Sequence, residues 1–319
     1  MESMERLKNK KILVTGGAGF IGSHLTLELI NKDAKVFVID KVVNKKSFFS
    51  ANKLIQKAFF RLIDIRHKNS VYKFFEQFRF DYVFHLAAEA VVQESYKDPC
   101  KTFETNIMGT VHILEAARKS KSIKGIIVAS SDKAYGKTKK AYTENSPLRG
   151  DHPYDVSKSS MDLICQSYFK TYNLPIVVTR FGNVYGEGDL HFDRIVPGIC
   201  EAVNKKKILE IRSDGTYVRD YLYVKDVVNG YIFLLKNIDR VIGQAYNFSS
   251  QDTLSVLHLI KKAESILDQK VFYKILNTAK NEIPYQHLDD SKINKLGWKP
   301  KYNLDSTIKT ILSWYKLVI

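Results

Sequence analysis

Tyr154 and Lys158 stand four residues apart in the run Tyr154-Asp155-Val156-Ser157-Lys158. On a helix that spacing puts both side chains on one face. Upstream, an apolar run ends in Ser130-Ser131-Asp132-Lys133. A phenol is a poor base at its ordinary pKa of about 10. A neighbouring ammonium stabilises the phenolate, so Tyr154 could take a hydroxyl proton while a hydride leaves the same carbon. That chemistry needs a hydride acceptor, and a second motif supplies a place for one.

Thr15-Gly16-Gly17-Ala18-Gly19-Phe20-Ile21-Gly22 follows an apolar run and precedes a helical pattern. Glycines at positions 16, 19 and 22 permit a tight turn and let backbone N–H groups approach a pyrophosphate at a helix N-terminus. The next apolar run ends at Asp40, whose carboxylate can accept both ribose hydroxyls and repel a 2′-phosphate. NAD is therefore expected over NADP, although Lys41, Lys45 and Lys46 leave room for the latter; the plainer role for Asp40 is a turn residue. Asp64 ends a third apolar run and could contact adenine or cap the following helix.

These residues must be held by regular elements. Short β-branched runs predict strands at Lys11–Thr15, Lys35–Asp40, Phe60–Asp64, Asp81–Leu86, Gly125–Ser130 and Pro175–Arg180. Helical patterns fill the intervals, notably Ile21–Asn31, Cys100–Lys119 and Tyr154–Tyr172. Such alternation predicts an α/β fold with a doubly wound parallel sheet of Rossmann type, its strands buried on both faces. Phe74, Phe75 and Phe78 fall at helical spacing and read as core. Beyond about residue 182 the pattern turns irregular, which predicts a smaller α/β C-terminal domain. The expected division is 1–182 and 183–319, with 223–243 returning to the first domain.

With 319 residues, 45% of them hydrophobic, the chain can bury a core without disulfides or structural metals. Its three cysteines, Cys100, Cys165 and Cys200, form no CxxC pair, so no metal site is expected and a reducing cytoplasm is the simplest location. No apolar run approaches the roughly 18–20 residues of a membrane span. The polar start Met1–Lys10 reads as no signal peptide. The net charge of +16 invites a nucleic-acid reading, but no basic arm, zinc finger or RNA-binding signature accompanies it. Lys137, Lys139 and Lys140, and Lys205–Lys207, read as solvated lysines.

With these motifs in order along its whole length, the chain resembles the extended short-chain dehydrogenase/reductase family of NAD-dependent epimerases and dehydratases. His85-Leu86-Ala87-Ala88, Thr105–Thr110, Arg180–Gly186 and Arg219–Val227 also stand where that family has its motifs. The resemblance implies a catalytic Ser131, Tyr154 and Lys158. It implies NAD contacts at Gly16, Gly19, Phe20, Ile21 and Gly22, at Asp40, Asp64 and Ile65, and at Leu86, Ala87 and Ala88, with Tyr154 and Lys158 beside the nicotinamide. A C-terminal domain would bind a nucleotide diphosphate-sugar, with Asn183 and Arg219 on the diphosphate. Family members commonly dimerise through two helices per subunit; here these would be Cys100–Lys119 and Tyr154–Tyr172. Phe103, Ile107, Val111 and Leu114 suit that interface or simple packing on the sheet.

The pair after the catalytic serine separates reactions within the family. Asp132-Lys133 resembles the CDP-glucose 4,6-dehydratase branch, and a related branch acting on GDP-N-acetylglucosamine fits equally. That implies C4 oxidation, loss of water across C5 and C6, and hydride return to C6. Asp132 would be the acid at O6 and Lys133 the base at C5; the plainer reading is an ion pair at a strand end. A 4-epimerase or 4-oxidoreductase on the same scaffold is the alternative. Glu89, Gln93, His191 and Arg194 are weaker candidates for substrate contact, equally suited to being ordinary loop residues, whereas Asn106 is expected to fix backbone near the strand ends.

Overall fold

A computed structural model describes residues 7–138, 140–278 and 283–318. The polar start at 1–6 and Lys139 of the basic group lie outside the described residues. Strands β1 (Lys11–Thr15), β2 (Lys35–Asp40), β3 (Phe59–Leu62), β4 (Tyr82–His85), β5 (Gly125–Ala129) and β6 (Ile176–Phe181) alternate with helices. The helices that matter for the site are α1 (Phe20–Asn31), α2 (Lys68–Gln77), α3 (Gly109–Ser120) and α4 (Pro153–Tyr172).

The strands form one sheet in the order Ala245–Phe248, β6, β5, β4, β1, β2, β3. β1 pairs in parallel with β2 on one side and β4 on the other, Thr15 lying level with Ile39 and His85. The strand order therefore reverses at β1, where a doubly wound sheet opens a crevice beyond its strand ends. The expected strands are all present with small shifts. The third runs Phe59–Leu62 and not Phe60–Asp64, which leaves Asp64 beyond the strand end. Ile12, Leu13 and Val14 are fully buried, as both-sided packing requires. Phe74 and Phe75 join the core on one face of the sheet, and Phe78 packs partly buried against it.

The long helix expected over Cys100–Lys119 is not one α-helix. It runs as Pro99–Phe103, then a widened π turn Glu104–Met108, then α3. The turn presents Asn106 inward, where its amide grips the backbone of Glu89 on both sides, accepting from N–H at 2.7 Å and donating to C=O at 3.1 Å. It also donates to Ser157 Oγ on α4 at 2.9 Å. Asn106 thus fixes backbone as expected, and π turns characteristically aim a side chain in this way.

The chain divides into two compact units: residues 1–137, 146–180 and 228–246, and residues 138–145, 181–227 and 247–319. The first holds the sheet. The second carries strands Asn183–Tyr185, Val218–Tyr223 and Thr253–Ser255 in one small sheet and Leu209–Ile211 with Tyr273–Ile275 in another. Its buried hub is Asp220. That carboxylate accepts from Ser249 Oγ at 3.0 Å, Thr253 Oγ1 at 2.7 Å and the Leu288 N–H at 2.8 Å, and meets His287 Nδ1 at 2.8 Å. No helix among the described residues is long and apolar enough to cross a membrane.

The first unit is pinned internally by a buried ion pair. Arg180 at the end of β6 donates from Nε and Nη2 to Asp162 of α4 at 2.8 and 2.9 Å, and from Nη1 to the Tyr135 hydroxyl at 2.6 Å. Removing one partner strands a charge, so Asp162→Ala should lower the unfolding free energy by about 3–5 kcal/mol. Asp162→Leu combined with Arg180→Met should recover most of that loss in urea unfolding; equal losses in the single and double variants would contradict the pair's role.

Candidate active site

The glycine turn and its surroundings are built from backbone. Gly16 has φ +70°, a conformation that a side chain resists, and a Cβ there would meet Ala87 N at 2.7 Å. A Cβ on Gly22 would strike Gly16 O. Around Gly19 a Cβ would have only Gly16 O, at 3.2 Å, within reach, and would otherwise fill open space above the start of α1. No side chain caps α1 and no acidic residue stands in its first turn. The N–H groups of Phe20, Ile21 and Gly22 therefore begin a helix whose positive end is left to an outside anion. Asp40 stands beside this turn, its Oδ2 accepting from Ala18 N–H at 3.1 Å and its Oδ1 from Lys41 N–H at 2.8 Å. Burial pushes its carboxyl above the usual range, against those hydrogen bonds. An open cradle at a helix start, with a carboxylate at its edge, suits a dinucleotide.

A hydrogen-bonded chain behind the cradle joins the strand ends. Thr110 donates its only hydroxyl proton to Asn106 O at 2.6 Å, so at 2.9 Å it must accept from His85 Nε2–H. His85 Nδ1 then accepts from Thr15 Oγ1 at 2.7 Å, and Thr15 in turn receives the Ala87 N–H at 3.2 Å. Burial lowers His85 to a pKa of about 3, with Lys158 adding to the effect, so the ring stays neutral. This chain sets the backbone path of Leu86-Ala87-Ala88.

Ser131, Asp132, Lys133, Tyr154 and Lys158 come together at the end of β5 and the first turns of α4. Ser131 Oγ donates to Asp132 Oδ1 at 3.0 Å and accepts from the Lys133 N–H at 3.2 Å, capping a 3-10 turn over Asp132–Tyr135. Ser159 of α4 clamps that turn, donating to Ala134 O at 2.7 Å. Lys158 Nζ donates to Ala129 O at 2.9 Å and lies 6.0 Å from the Tyr154 ring centroid. Burial drives Lys158 down to a pKa of about 8. The ammonium thus lies closer to neutrality than an exposed lysine and stands where it would stabilise a Tyr154 phenolate.

The remaining sequence candidates are placed as follows. Asp64 does not cap α2, whose first flanking residue is His67; its carboxylate is held by Arg66 Nη2 at 2.7 Å and Nε at 3.0 Å. Ile65 is buried in the core beside Gly109. Glu89 Oε2 lies 3.5 Å from both Lys41 and Lys101, and Gln93 is exposed on a short helix. In the second unit, Asn183 opens a strand, Arg194 pairs with buried Asp189 at 3.1 Å, and buried Arg219 donates to Val218 O at 2.8 Å. His191 donates its N–H to Asp189 Oδ1 at 3.2 Å. Among the described residues no group of three His, Cys, Asp or Glu is arranged to hold a metal.

Two polar side chains in the site, Asp155 and His152, were not singled out by sequence. Asp155 is 3% exposed, although it directly follows Tyr154. Burial raises it to a pKa of about 6, overcoming the attraction of Lys133 and His152, and Asp132 raises it further. His152 Nε2 lies 3.8 Å from Asp155 Oδ2, and His152 Nδ1 lies 3.2 Å from the Tyr96 hydroxyl. Both residues sit inside the motif already quoted or at its edge, but only packing distinguishes them from spacers.

A doubly wound sheet, a glycine cradle at its switch point and a Tyr–Lys pair on the helix after β5 define a Rossmann-type dinucleotide-binding scaffold. A family model described as the NAD dependent epimerase/dehydratase family matches residues 12–249. The chain belongs to that family, and its cofactor is NAD. Its relatives include dTDP-D-glucose 4,6-dehydratase of Homo sapiens, 30% identical, covering 96% of this chain and 90% of that protein. CDP-glucose 4,6-dehydratase of Salmonella typhimurium is 29% identical over 97% of this chain and 91% of its own. The solved UDP-glucuronic acid 4-epimerase of Bacillus cereus, in complex with UDP-glucuronic acid and NAD, superposes with TM-score 0.89 at 29% identity, over 97% of this chain and 100% of that one.

Burying Lys158 has a measurable cost. Its folded pKa lies near 8 against an ordinary 10.5, so the unfolded chain binds the extra proton and the full penalty applies below pH 8. Lys158→Met should therefore be more stable than wild type at pH 7, by about 2 kcal/mol once the lost hydrogen bond is counted. In urea unfolding the gap should close as pH rises from 8 to 10.5; a destabilised variant at pH 7 would refute this.

Proposed function

We propose that the chain is a nucleotide-sugar 4,6-dehydratase acting on GDP-N-acetylglucosamine or CDP-glucose. The observation that carries this reading is the buried carboxyl of Asp132, hydrogen-bonded to Ser131 in the turn that follows β5. An epimerase needs no acid at O6, whereas loss of that hydroxyl as water does. The 4,6-dehydratases among the relatives support it. The epimerase alternative draws its support from neighbours such as the Bacillus cereus enzyme.

On this reading Gly16, Gly19, Phe20, Ile21, Gly22 and Asp40 hold the adenosine diphosphate half of NAD, with Asp64, Ile65 and Leu86–Ala88 lining the approach. When bound, NAD accepts the C4 hydride and returns it to C6. Tyr154 takes the O4 proton, and Lys158 stabilises its phenolate. Lys133, in its neutral form, takes the C5 proton acidified by the new ketone and later returns it. Asp132 gives its proton to the departing O6; before the next turnover Tyr154 gives up its extra proton to solvent and Asp132 regains one from it. Glu89, Gln93, Asn183, Arg194 and Arg219 are the candidate contacts to the nucleotide sugar. Lys41, drawn toward Glu89, is turned from the role of a 2′-phosphate ligand, which favours NAD over NADP.

The reading extends to residues 1–182, with 223–243 returning to them, as dinucleotide domain and the rest of 183–319 as mainly sugar-nucleotide domain, in a homodimer of the cytoplasm. Met108, Leu163 and Tyr172 on the helix pair are 47%, 53% and 51% exposed, an apolar surface suited to such a dimer. Cys100, Cys165 and Cys200 are free thiols, as a reducing compartment maintains.

Incubation with UDP-, GDP-, CDP- and dTDP-hexoses without added NAD should give, from one donor, a product lighter by one water with deuterium at C5 in heavy water. Loss of water from none of them would refute the reading. Lys133→Ala should abolish C5 deuterium uptake, and retained uptake would remove Lys133 as the base. Asp40→Ser should weaken NAD binding by roughly tenfold or more while sparing NADP, the worth of two carboxylate hydrogen bonds; titration of cofactor fluorescence checks it.

A further inference from the structure

The two chain segments that border the glycine turn meet again beyond it. On one side the Gly16 N–H donates to Ile39 O, near the end of β2, at 2.9 Å. On the other, a Cβ at Gly16 would lie 2.7 Å from Ala87 N, in the segment after β4. The turn is thus flanked by the chain leading to Asp40 and Lys41 and by the chain leading to Ala88 and Glu89. Because β1 pairs with β2 on one edge and β4 on the other, these chains stand on opposite sides of its end. Lys41 Nζ and Glu89 Oε2 nevertheless come within 3.5 Å, so their ion pair spans from one side to the other.

The two ends of this bridge are held unequally. Glu89 is a fixed post. The Asn106 side chain grips its backbone at N–H and C=O, at 2.7 and 3.1 Å. Lys101, on the helix Pro99–Phe103, holds the same Oε2 at 3.5 Å, and the Glu89 side chain is 12% exposed. Lys41 is the movable arm. Its backbone N–H is tied to Asp40 Oδ1 at 2.8 Å, but its side chain is 41% exposed. A flexible four-carbon stem can swing clear and return while the backbone beneath it stays in place.

We propose that Lys41 and Glu89 form a clasp that closes over the adenosine half of NAD and slows its release. The inference rests on NAD binding at the glycine turn and not on which sugar reaction follows. Asp40, accepting the Ala18 N–H, and the uncapped start of α1 are the floor on which the cofactor lies. The ion pair is the bar across it. A plain attraction between the lysines and the pyrophosphate makes the opposite demand on Glu89. A clasp needs both partners, so losing either one opens it. Attraction needs the lysine alone, and losing Glu89 would then unmask two cations and tighten binding. A clasp also suits a cofactor that ends each turnover in the state in which it began, as NAD does in the proposed reaction.

Displacement of bound NADH by excess NAD, followed by stopped-flow fluorescence with no sugar present, tests the clasp in the full-length protein. Lys41→Met and Glu89→Gln should each speed release by about threefold to fivefold, the range of a partly exposed ion pair. The double variant should release no faster than either single one, because all three lose the same contact. Lys41→Arg, which can still reach the carboxylate, should keep the wild-type rate. Slower release from Glu89→Gln would overturn the clasp in favour of plain attraction. Unchanged rates in both single variants, additive effects in the double variant, or a Lys41→Arg variant as fast as Lys41→Met would overturn it as well. Because no sugar is present, none of these outcomes bears on the dehydratase reading, which the donor incubations test separately.

Discussion

The site is organised around a lysine that the fold buries. Lys158 donates a hydrogen bond to the carbonyl of Ala129, the last residue of β5. An ammonium held in that position requires the start of α4 to lie directly over the end of β5, and much of the first unit serves that requirement. Met161 and Cys165, one and two turns further along α4, enter the core below the sheet. Asp162 on the same helix locks to Arg180 at the end of β6, the neighbour of β5. One helix is thereby held against two adjacent strand ends by a hydrogen bond, an ion pair and apolar packing.

A second set of buried polar groups aligns the cofactor side with the same helix. His85 links the ends of β1 and β4 to Thr110, and Thr110 passes the connection to Asn106. Asn106 then reaches Ser157 on α4. Each donor in this series has an acceptor, which is the condition for burying it at all. The π turn is the means by which Asn106 faces inward while the flanking helices keep their apolar faces on the sheet. Cradle and Tyr–Lys pair are thus connected through side chains of the first unit alone.

The parts legible in sequence are those encoded by local period or by local geometry. Buried parallel strands announce themselves as β-branched runs, and Gly16 and Gly22 are required wherever backbone meets backbone so closely. The Tyr154–Lys158 spacing is a property of one helix. What was not legible depends on partners distant in the chain. Nothing near Asp64 indicates that Arg66 takes its carboxylate and leaves α2 uncapped, because an Asp before a helix more often caps it. Glu89 reads as a loop residue until Lys41 and Lys101 are found around it. Residues 138–145 join the second unit although no change of composition sets them apart; the link is long-range, Asn247 donating from its side chain to Tyr142 O and from its backbone N–H to Glu144 Oε1. Asp155 is not marked by its spacing, because a helix pattern cannot tell an exposed carboxylate from a buried one.

The same distinction bears on how one scaffold could serve different reactions. Removal of a proton from O4 and hydride from C4 opens both epimerisation and dehydration, and Tyr154, Lys158 and the glycine cradle suffice for it. Dehydration asks in addition for a group that remains protonated near neutrality and can part with that proton on demand. A solitary exposed aspartate ionises near 4 and offers little. Asp132 is 4% exposed in the turn after β5, and burial disfavours the charged form of a carboxyl. Burial in that turn is then what separates a proton donor from a mere anion at this position.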